Sequence, residues 1–302
     1  MSVSAVAVTR SDDPSPATSA PPSGSPFRLA EDFADDGLNR AATDEATLDA
    51  LRSRFDAAAP FPHLVIDNLF DPRLLRSMLP DYERLGGDDW IKYDNRNELK
   101  RGTRPNIQLG AGSQSYFDLI HRARFTRFLT RVTGIEALVT DPALRGGGLH
   151  EIPTDGKFRV HVDFTRHTDT LLDNRLVFIT YLNEGWQEDW GGALELWNRS
   201  ACVEKVVPVF GRSILFAQSA ESFHGHPDPV RAPDGRPRRS AAAYFYTNGR
   251  PDPTPAERLT TRYLQPDQVP LRERVARGAR YVLPPVVWDG LKLVRRGRAS
   301  RS

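Results

Sequence analysis

The sequence predicts a mainly β domain of the sandwich or jelly-roll kind with flanking helices. Three observations carry that prediction. From about residue 144 to 248, short β-rich runs alternate with Gly, Pro, Asn and Asp and no helical period intervenes. Before that stretch, three or four segments repeat apolar residues at helical spacing. A chain of 302 residues that is 39% hydrophobic and 26% charged is long enough to bury a sizeable core.

Residues 1–25 are rich in Ser, Pro and Ala and short of large apolar groups, which predicts disorder. The folded domain is expected over residues 26–283. Helices are expected at Thr47–Ala57, where Leu48, Leu51 and Phe55 share a face, and at Asp71–Leu79, which Pro80 should end or kink. His63–Asp67 between them reads as a strand. Gly86–Gln108 is polar and rich in Gly and Arg, and reads as a long loop. Helices follow at Ser113–His121 and Arg124–Thr133, the second ending at Gly134, a helix-terminating position.

Strands are then expected near Leu149–Ile152, Phe158–Val162, Leu176–Asn183, Ala193–Trp197, Val203–Pro208, Ser213–Phe216 and Arg238–Thr247. Thr254–Leu264 and Val269–Tyr281 read as helices. Pro284 and Pro285 stop the last of them, and residues 284–302 form a basic tail. Helices packed on one sheet of a two-sheet core account for this order.

Composition excludes several classes of protein. Cys202 is the single cysteine, so neither an intrachain disulfide nor a zinc site of paired cysteines is available. No signal-peptide pattern and no 18-residue apolar run is present, and a cytoplasmic location is expected. The bias towards Arg, Asp, Ala and Pro fits a high-GC bacterial source. The net charge of +2 favours no polyanionic partner. Nine Lys and Arg against two acidic residues in Leu271–Ser302 could attract one, but a solvated tail is the commoner meaning, so nucleic acid is not expected as a partner.

The chemistry-bearing residues lie in the β region. In KFRVHVDF, His161 and Asp163 stand two apart at a strand end, and alternation puts both on one face. His224, in SFHGHP, lies 61 residues after Asp163 and supplies a third ligand, with His226 as competitor. Two imidazoles and one carboxylate on one face leave three metal positions open, the arrangement of non-haem Fe(II) oxygenases. Downstream, GRPRRSAAAYFYT places Arg238 and Ser240 on one strand face and Arg239 on the other. A guanidinium fork suits a carboxylate, and Arg238 is preferred to Arg239 as its anchor.

In HVDF, RLVFITYLNEGW, GGALELW, GRSILF, SFHGHPDPV and RRSAAAYFYT, taken in that order, the chain resembles the 2-oxoglutarate/Fe(II)-dependent dioxygenase superfamily, prolyl-4-hydroxylase-like branch. The resemblance covers roughly residues 60–250. It implies a double-stranded β-helix (jelly roll) with iron in its mouth, held by His161, Asp163 and His224. It implies Fe(II) as cofactor, 2-oxoglutarate and O2 as co-substrates, and Arg238 as the 2-oxoglutarate anchor. Tyr181 matches a position whose phenol often meets the co-substrate carboxylate, and Leu194 one that lines the same pocket. Asn183, Trp186, Gly191 and Gly192 match hairpin and packing positions. An inserted PDPVRAPDGRP between His224 and Arg238 departs from compact relatives.

The activity implied is oxidative decarboxylation of 2-oxoglutarate coupled to hydroxylation of an unactivated C–H bond in an amino-acid, peptide or natural-product substrate. Related halogenases have a small residue at the Asp163 position, so an Asp there points to hydroxylation. The competing reading is a non-catalytic, cupin-like metal- or ligand-binding module. Lid segments over the metal are expected at Gly86–Gln108 and Thr165–Asn174, with Arg101, Arg104 and Arg166 as possible contacts for an anionic substrate.

Overall fold

The computed structural model describes residues 25–251 and 258–264. Among them the chain builds three layers: helices, a large sheet and a small sheet. β1 (Phe27–Arg28) opens the chain and α1 (Glu45–Ala57) follows, capped by the Asp44 side chain on the Thr47 amide. β2 (His63–Asp67) leads to α2 (Pro72–Met78), with Asp71 as cap and Pro72 in the first turn, and to the short α3 (Asp81–Arg84). β3 (Trp90–Asp94) and β4 (Leu99–Thr103) form a hairpin before α4 (Ala111–His121) and α5 (Ala123–Thr133). Gly134 ends α5 at φ +66°, the left-handed conformation that a helix stop favours.

The remaining strands follow almost without helix. They are β5 (Val139–Thr140), β6 (Gly148–Ile152), β7 (Phe158–Val162), β8 (Asp173–Tyr181), β9 (Leu194–Trp197) and β10 (Cys202–Val206). Then come β11 (Ser213–Ala217), β12 (Phe223–His226), β13 (Arg238–Thr247) and β14 (Arg262–Tyr263). The large sheet runs β1-β2-β11-β8-β13-β6-β4-β3, with β5 also on β13. The small sheet runs β10-β9-β12-β7-β14. All pairings are antiparallel except β1 with β2.

Strand alternation sorts the core into two layers. One face of the large sheet turns Leu64, Ile66, Leu149, Phe178, Leu215, Ala241, Ala243 and Phe245 towards the helices, where Leu51, Phe55, Phe117, Phe125 and Leu129 meet them. The other face turns Val65, Val177, Tyr181 and Ile214 towards Leu194, Leu196 and Val206 of the small sheet. Residues of β13 therefore divide cleanly. Arg239, Ala241 and Ala243 look to the helix side, whereas Arg238, Ser240 and Tyr244 look into the space between the sheets.

The mainly β, jelly-roll expectation holds, and so do the helices at Thr47–Ala57, Asp71–Leu79, Ser113–His121 and Arg124–Thr133 to within a few residues. Two expectations do not. Gly86–Gln108 is not a long loop: it contains the β3–β4 hairpin, which joins the large sheet through β4 and β6. Its charged side chains hid an alternation in which Trp90 is buried and its neighbours point out by turns. Thr254–Leu264 is not a helix in its described part, because Arg262–Tyr263 pair with Val162 and His161 at the open edge of β7. Unpaired strand-edge groups favour a β partner over local helical spacing. The helix expected at Val269–Tyr281, residues 1–24 and the tail 284–302 lie outside the described residues.

Candidate metal centre

The register of the small sheet explains how residues far apart in sequence meet. His224 on β12 lies directly opposite His161 on β7, and directly opposed residues share a face. Their ring centroids are 4.4 Å apart. Asp163, two residues beyond His161, follows on the same face just past the end of β7. One ligand atom from each of the three lies within 4.8 Å of the others, and all three residues are buried. Asp163 Oδ1 is 3.3 Å from His161 Nε2, and Oδ2 is 3.5 Å from His224 Nε2.

The imidazole tautomers follow from their outer partners. His161 Nδ1 lies 2.8 Å from the Arg159 carbonyl, and His224 Nδ1 lies 2.9 Å from the Ser222 carbonyl. A carbonyl only accepts, so each Nδ1 carries a proton and donates it, and each Nε2 is turned towards the gap. His161 Nε2 is buried with no hydrogen-bond partner among the described residues. Burial, aided by His224, holds the His161 ring below its ordinary imidazole pKa and so neutral. Burial pushes the Asp163 carboxyl upward, but His224 and His161 outweigh it and hold it well below the usual carboxylate range. A buried carboxylate beside two imidazole nitrogens is a ligand set that suits a divalent transition metal.

Tyr244 supports this group from the large sheet. Its hydroxyl donates to Asp163 Oδ2 at 3.3 Å, and its ring packs on Phe164 at 4.9 Å. Burial and the Asp163 charge push the phenol well above its ordinary value, so it remains a donor. Phe158 lies against the His161 ring, with centroids 3.8 Å apart. His226 is buried one step further along β12, and a bulge pairs it with Phe158. It stands outside the three-residue cluster.

A second charged centre faces the first across the sheet–sheet space. Arg238 is 4% exposed and forms no ion pair among the described residues. Its Nε donates to the Gly192 carbonyl at 2.7 Å, and its guanidinium lies 4.9 Å from the Tyr181 ring centroid. Gly192, at φ +68°, permits that approach, since a Cβ there would come within 3.0 Å of Arg238 Cδ. Burial pushes the guanidinium below its ordinary value, and Tyr181 resists the shift. The Tyr181 hydroxyl is buried without a hydrogen-bond partner. Ser240 pairs with Tyr181 across β13 and β8, and Leu194 packs on Tyr181 from the small sheet. A buried cation with no carboxylate partner among the described residues is costly unless an anion completes it.

Arg239 lies on the opposite face. It bonds Glu151 at 2.9 Å and Glu83 at 2.5 Å, so its charge is already compensated. The other arginines considered for an anionic substrate are engaged too. Arg101 pairs with Glu151 at 2.7 Å, Arg104 donates to the Asp88 carbonyl, and Arg166 pairs with Asp173. Asn183 serves packing: its side chain bonds the Arg239 backbone and the Pro208 carbonyl.

Sequence reasoning missed Tyr244 and Lys100. Tyr244 was within reach of it, standing six residues after Arg238 on one strand and hence on one face. Lys100 was not, because it lay in the stretch read as loop. Beside the metal group, a cavity of about 260 Å³ is lined by Ile91, Tyr93, His150, Phe164, Arg145 and Thr168, among others.

Residues 147–246 match the family model described as the 2OG-Fe(II) oxygenase superfamily. The mouse protein named prolyl 3-hydroxylase OGFOD1 is 24% identical over 261 residues, 78% of this chain and 43% of its own length. The chain thus spans less than half of that curated relative. A solved prolyl hydroxylase from Trichoplax adhaerens, in complex with a hypoxia-inducible-factor peptide fragment, has a TM-score of 0.53 at 16% identity. That match covers 70% of this chain and 96% of the other, and shows the shared fold. A Pseudomonas putida prolyl-4-hydroxylase matches with a TM-score of 0.48 at 20% identity, covering 66% of this chain and 100% of its own.

Proposed function

Because the chain belongs to the 2-oxoglutarate/Fe(II)-dependent oxygenase superfamily, we propose that His161, Asp163 and His224 hold its iron and that Arg238 anchors its co-substrate. It is an Fe(II)/2-oxoglutarate-dependent dioxygenase of the hydroxylase type. Bound Fe(II) supplies the dioxygen chemistry: 2-oxoglutarate, O2 and a C–H bond give succinate, CO2 and a C–OH group.

The observation that carries the residue assignment is a pair of facing groups. Two imidazole Nε2 atoms and a carboxylate converge where a cation would sit, while Arg238 has no partner carboxylate among the described residues. Arg238, with Ser240 and Tyr181 beside it, takes the distal carboxylate of 2-oxoglutarate. Tyr244 holds the Asp163 carboxylate in orientation, and the Arg159 and Ser222 carbonyls hold the two rings. Leu194, Leu196 and Phe216 exclude water around the co-substrate. The match to an oxygenase family model and to a prolyl hydroxylase relative disfavours the non-catalytic binding module.

The acceptor lies in the cavity beside Phe164 and His150, whose volume suits a side chain or a small ring. The activities in the names of the mouse and Trichoplax relatives make a peptidyl proline the first acceptor to test. Free amino acids and natural products follow. The hairpin β3–β4 and the segment Thr165–Asn174 flank this cavity and serve as its cover. No helix among the described residues is long and apolar enough to cross a membrane. The Arg-, Asp-, Ala- and Pro-rich composition supports a bacterial source, and the single cysteine fits a reducing, cytoplasmic compartment.

Turnover tests the proposal. Protein supplied with Fe(II), 2-oxoglutarate and O2 should release succinate, and a proline-containing peptide that is a true acceptor should raise the rate. His161→Ala should abolish release. Release that persisted undiminished in His161→Ala would contradict the assignment.

A further inference from the structure

Among the described residues, Lys100 is the one ammonium that the fold brings into the space between the sheets next to the metal group. On β4 it shares a face with Gly102, which pairs with His150 of β6; His150 in turn pairs with Ser240 of β13. Lys100 therefore looks into the same space as Ser240 and Arg238, two strands away across β6. Its side chain is only 14% exposed.

The ammonium has poor company for a buried charge. Nζ lies 3.6 Å from the Phe158 ring centroid and 5.0 Å from that of Tyr93. Its nearest carboxylate oxygen is Glu98 Oε2 at 3.5 Å, and the other oxygen of Glu98 already accepts from the Tyr263 hydroxyl at 3.0 Å. Phe158 in turn lies on His161, so one ring separates the ammonium from a metal ligand. Arg238 sits at the far end of the space, against Tyr181 and Gly192. Burial pushes the ammonium below its ordinary pKa, while Glu98 and Asp163 resist.

Charge balance gives this placement a purpose. Lys100 has only Glu98 as a near carboxylate, at 3.5 Å, and Arg238 forms no ion pair among the described residues, so each has room for a further carboxylate. A dicarboxylate dianion supplies both, one carboxylate at each end. We propose that Lys100 is the second anion anchor of the co-substrate site and meets the carboxylate at the metal end, while Arg238 meets the distal one. The inference rests on the co-substrate reading given above. It makes Lys100 a residue that sets affinity for 2-oxo acids as a class, where Arg238 selects for a second carboxylate.

Calorimetric titration of the full chain loaded with Mn(II), which avoids turnover, separates the two ends. The probes are 2-oxoglutarate and 2-oxopentanoate, which lacks the distal carboxylate, titrated into the millimolar range. Lys100→Met should weaken both probes by the same factor, about 10- to 100-fold as for one charge-assisted hydrogen bond. Lys100→Arg should recover most of the loss. Arg238→Met should weaken 2-oxoglutarate and leave 2-oxopentanoate unchanged.

Undiminished 2-oxoglutarate binding by Lys100→Met overturns the proposal. So does a loss confined to 2-oxoglutarate, which would place Lys100 at the distal end. An equal loss of Mn(II) affinity also overturns it, since Lys100 would then act through the metal ligands. Circular dichroism melts of Lys100→Met and Lys100→Arg identify a folding defect, and a loss of binding shared by both with a lowered melt counts against the proposal. If wild-type protein binds Mn(II) but no 2-oxoglutarate, the co-substrate reading fails and this inference falls with it. Wild-type binding with an unaffected Lys100→Met removes only this inference.

Discussion

At Asp163 three side chains converge from three directions. His161 comes from its own strand, His224 from the neighbouring strand of the small sheet and Tyr244 from the large sheet. His161 and Asp163 were legible in the sequence because strand alternation alone puts i and i+2 on one face. His224 required the register that sets it opposite His161, which spacing in the chain does not reveal. The choice between Arg238 and Arg239 was legible only as a parity argument. The structure adds why parity matters here: Arg239 meets Glu151 and Glu83 on one face of β13, whereas Arg238 on the other forms no ion pair among the described residues. Tyr244→Phe removes a hydroxyl that orients a ligand without removing the ligand. Metal affinity should fall on the order of 10-fold, with the fold unchanged. A metal titration at fixed pH checks this, and an unaltered affinity would show that the 3.3 Å contact contributes nothing.

At the scale of elements, the helices of the N-terminal half exist to cover one face of the large sheet. Phe125 on α5 shows it most plainly, packing on Phe70, Phe128, Phe178 and Phe245 with no exposure. Phe125→Ala leaves a cavity between helix and sheet and should cost about 3–5 kcal/mol of stability in denaturant unfolding. A loss under about 1 kcal/mol would mean that the layer closes over the gap. These helices could be read from sequence because an apolar stripe of 3.6-residue period is a local signal. The hairpin β3–β4 and the short β14 could not, since each owes its structure to a distant strand edge, β6 for one and β7 for the other. Both lie at the candidate site: β4 carries Lys100, and Tyr263 of β14 lies opposite His161. The elements that escaped sequence reasoning are thus the ones that wall the metal centre.

The whole molecule stacks an apolar helix–sheet layer on a sheet–sheet layer that is apolar at one end and charged at the other. The order of short strands announced the two sheets; the charged end emerged only when the strands were placed side by side. Two half-buried histidines outside the metal group, His121 and His150, contribute to an acid limit. Burial, opposed weakly by Asp141, holds His121 below its ordinary pKa; burial and Lys100 hold His150 down at about 3. In the unfolded chain both titrate near 6.5, so between about pH 6.5 and 3 the unfolded state binds more protons. Stability is therefore complete above about pH 6.5 and is lost as pH falls below it, on the order of 3 kcal/mol by pH 4 from His150 alone. Melting curves of the metal-free protein at pH 7.5 and pH 5 should show the lower midpoint at pH 5. Equal midpoints would mean that His150 is accessible to protons in the folded state.

The central claim is that one site holds iron through His161, Asp163 and His224 and holds 2-oxoglutarate against Arg238. Anaerobic addition of Fe(II) and 2-oxoglutarate, followed by visible absorption, tests it most directly. A metal-to-ligand charge-transfer band should develop with wild-type protein, vanish in His161→Ala, weaken strongly in Arg238→Met and persist in Arg239→Met. Folded wild-type protein that gives no band, or an Arg238→Met protein that gives the full band while Arg239→Met gives none, would contradict it.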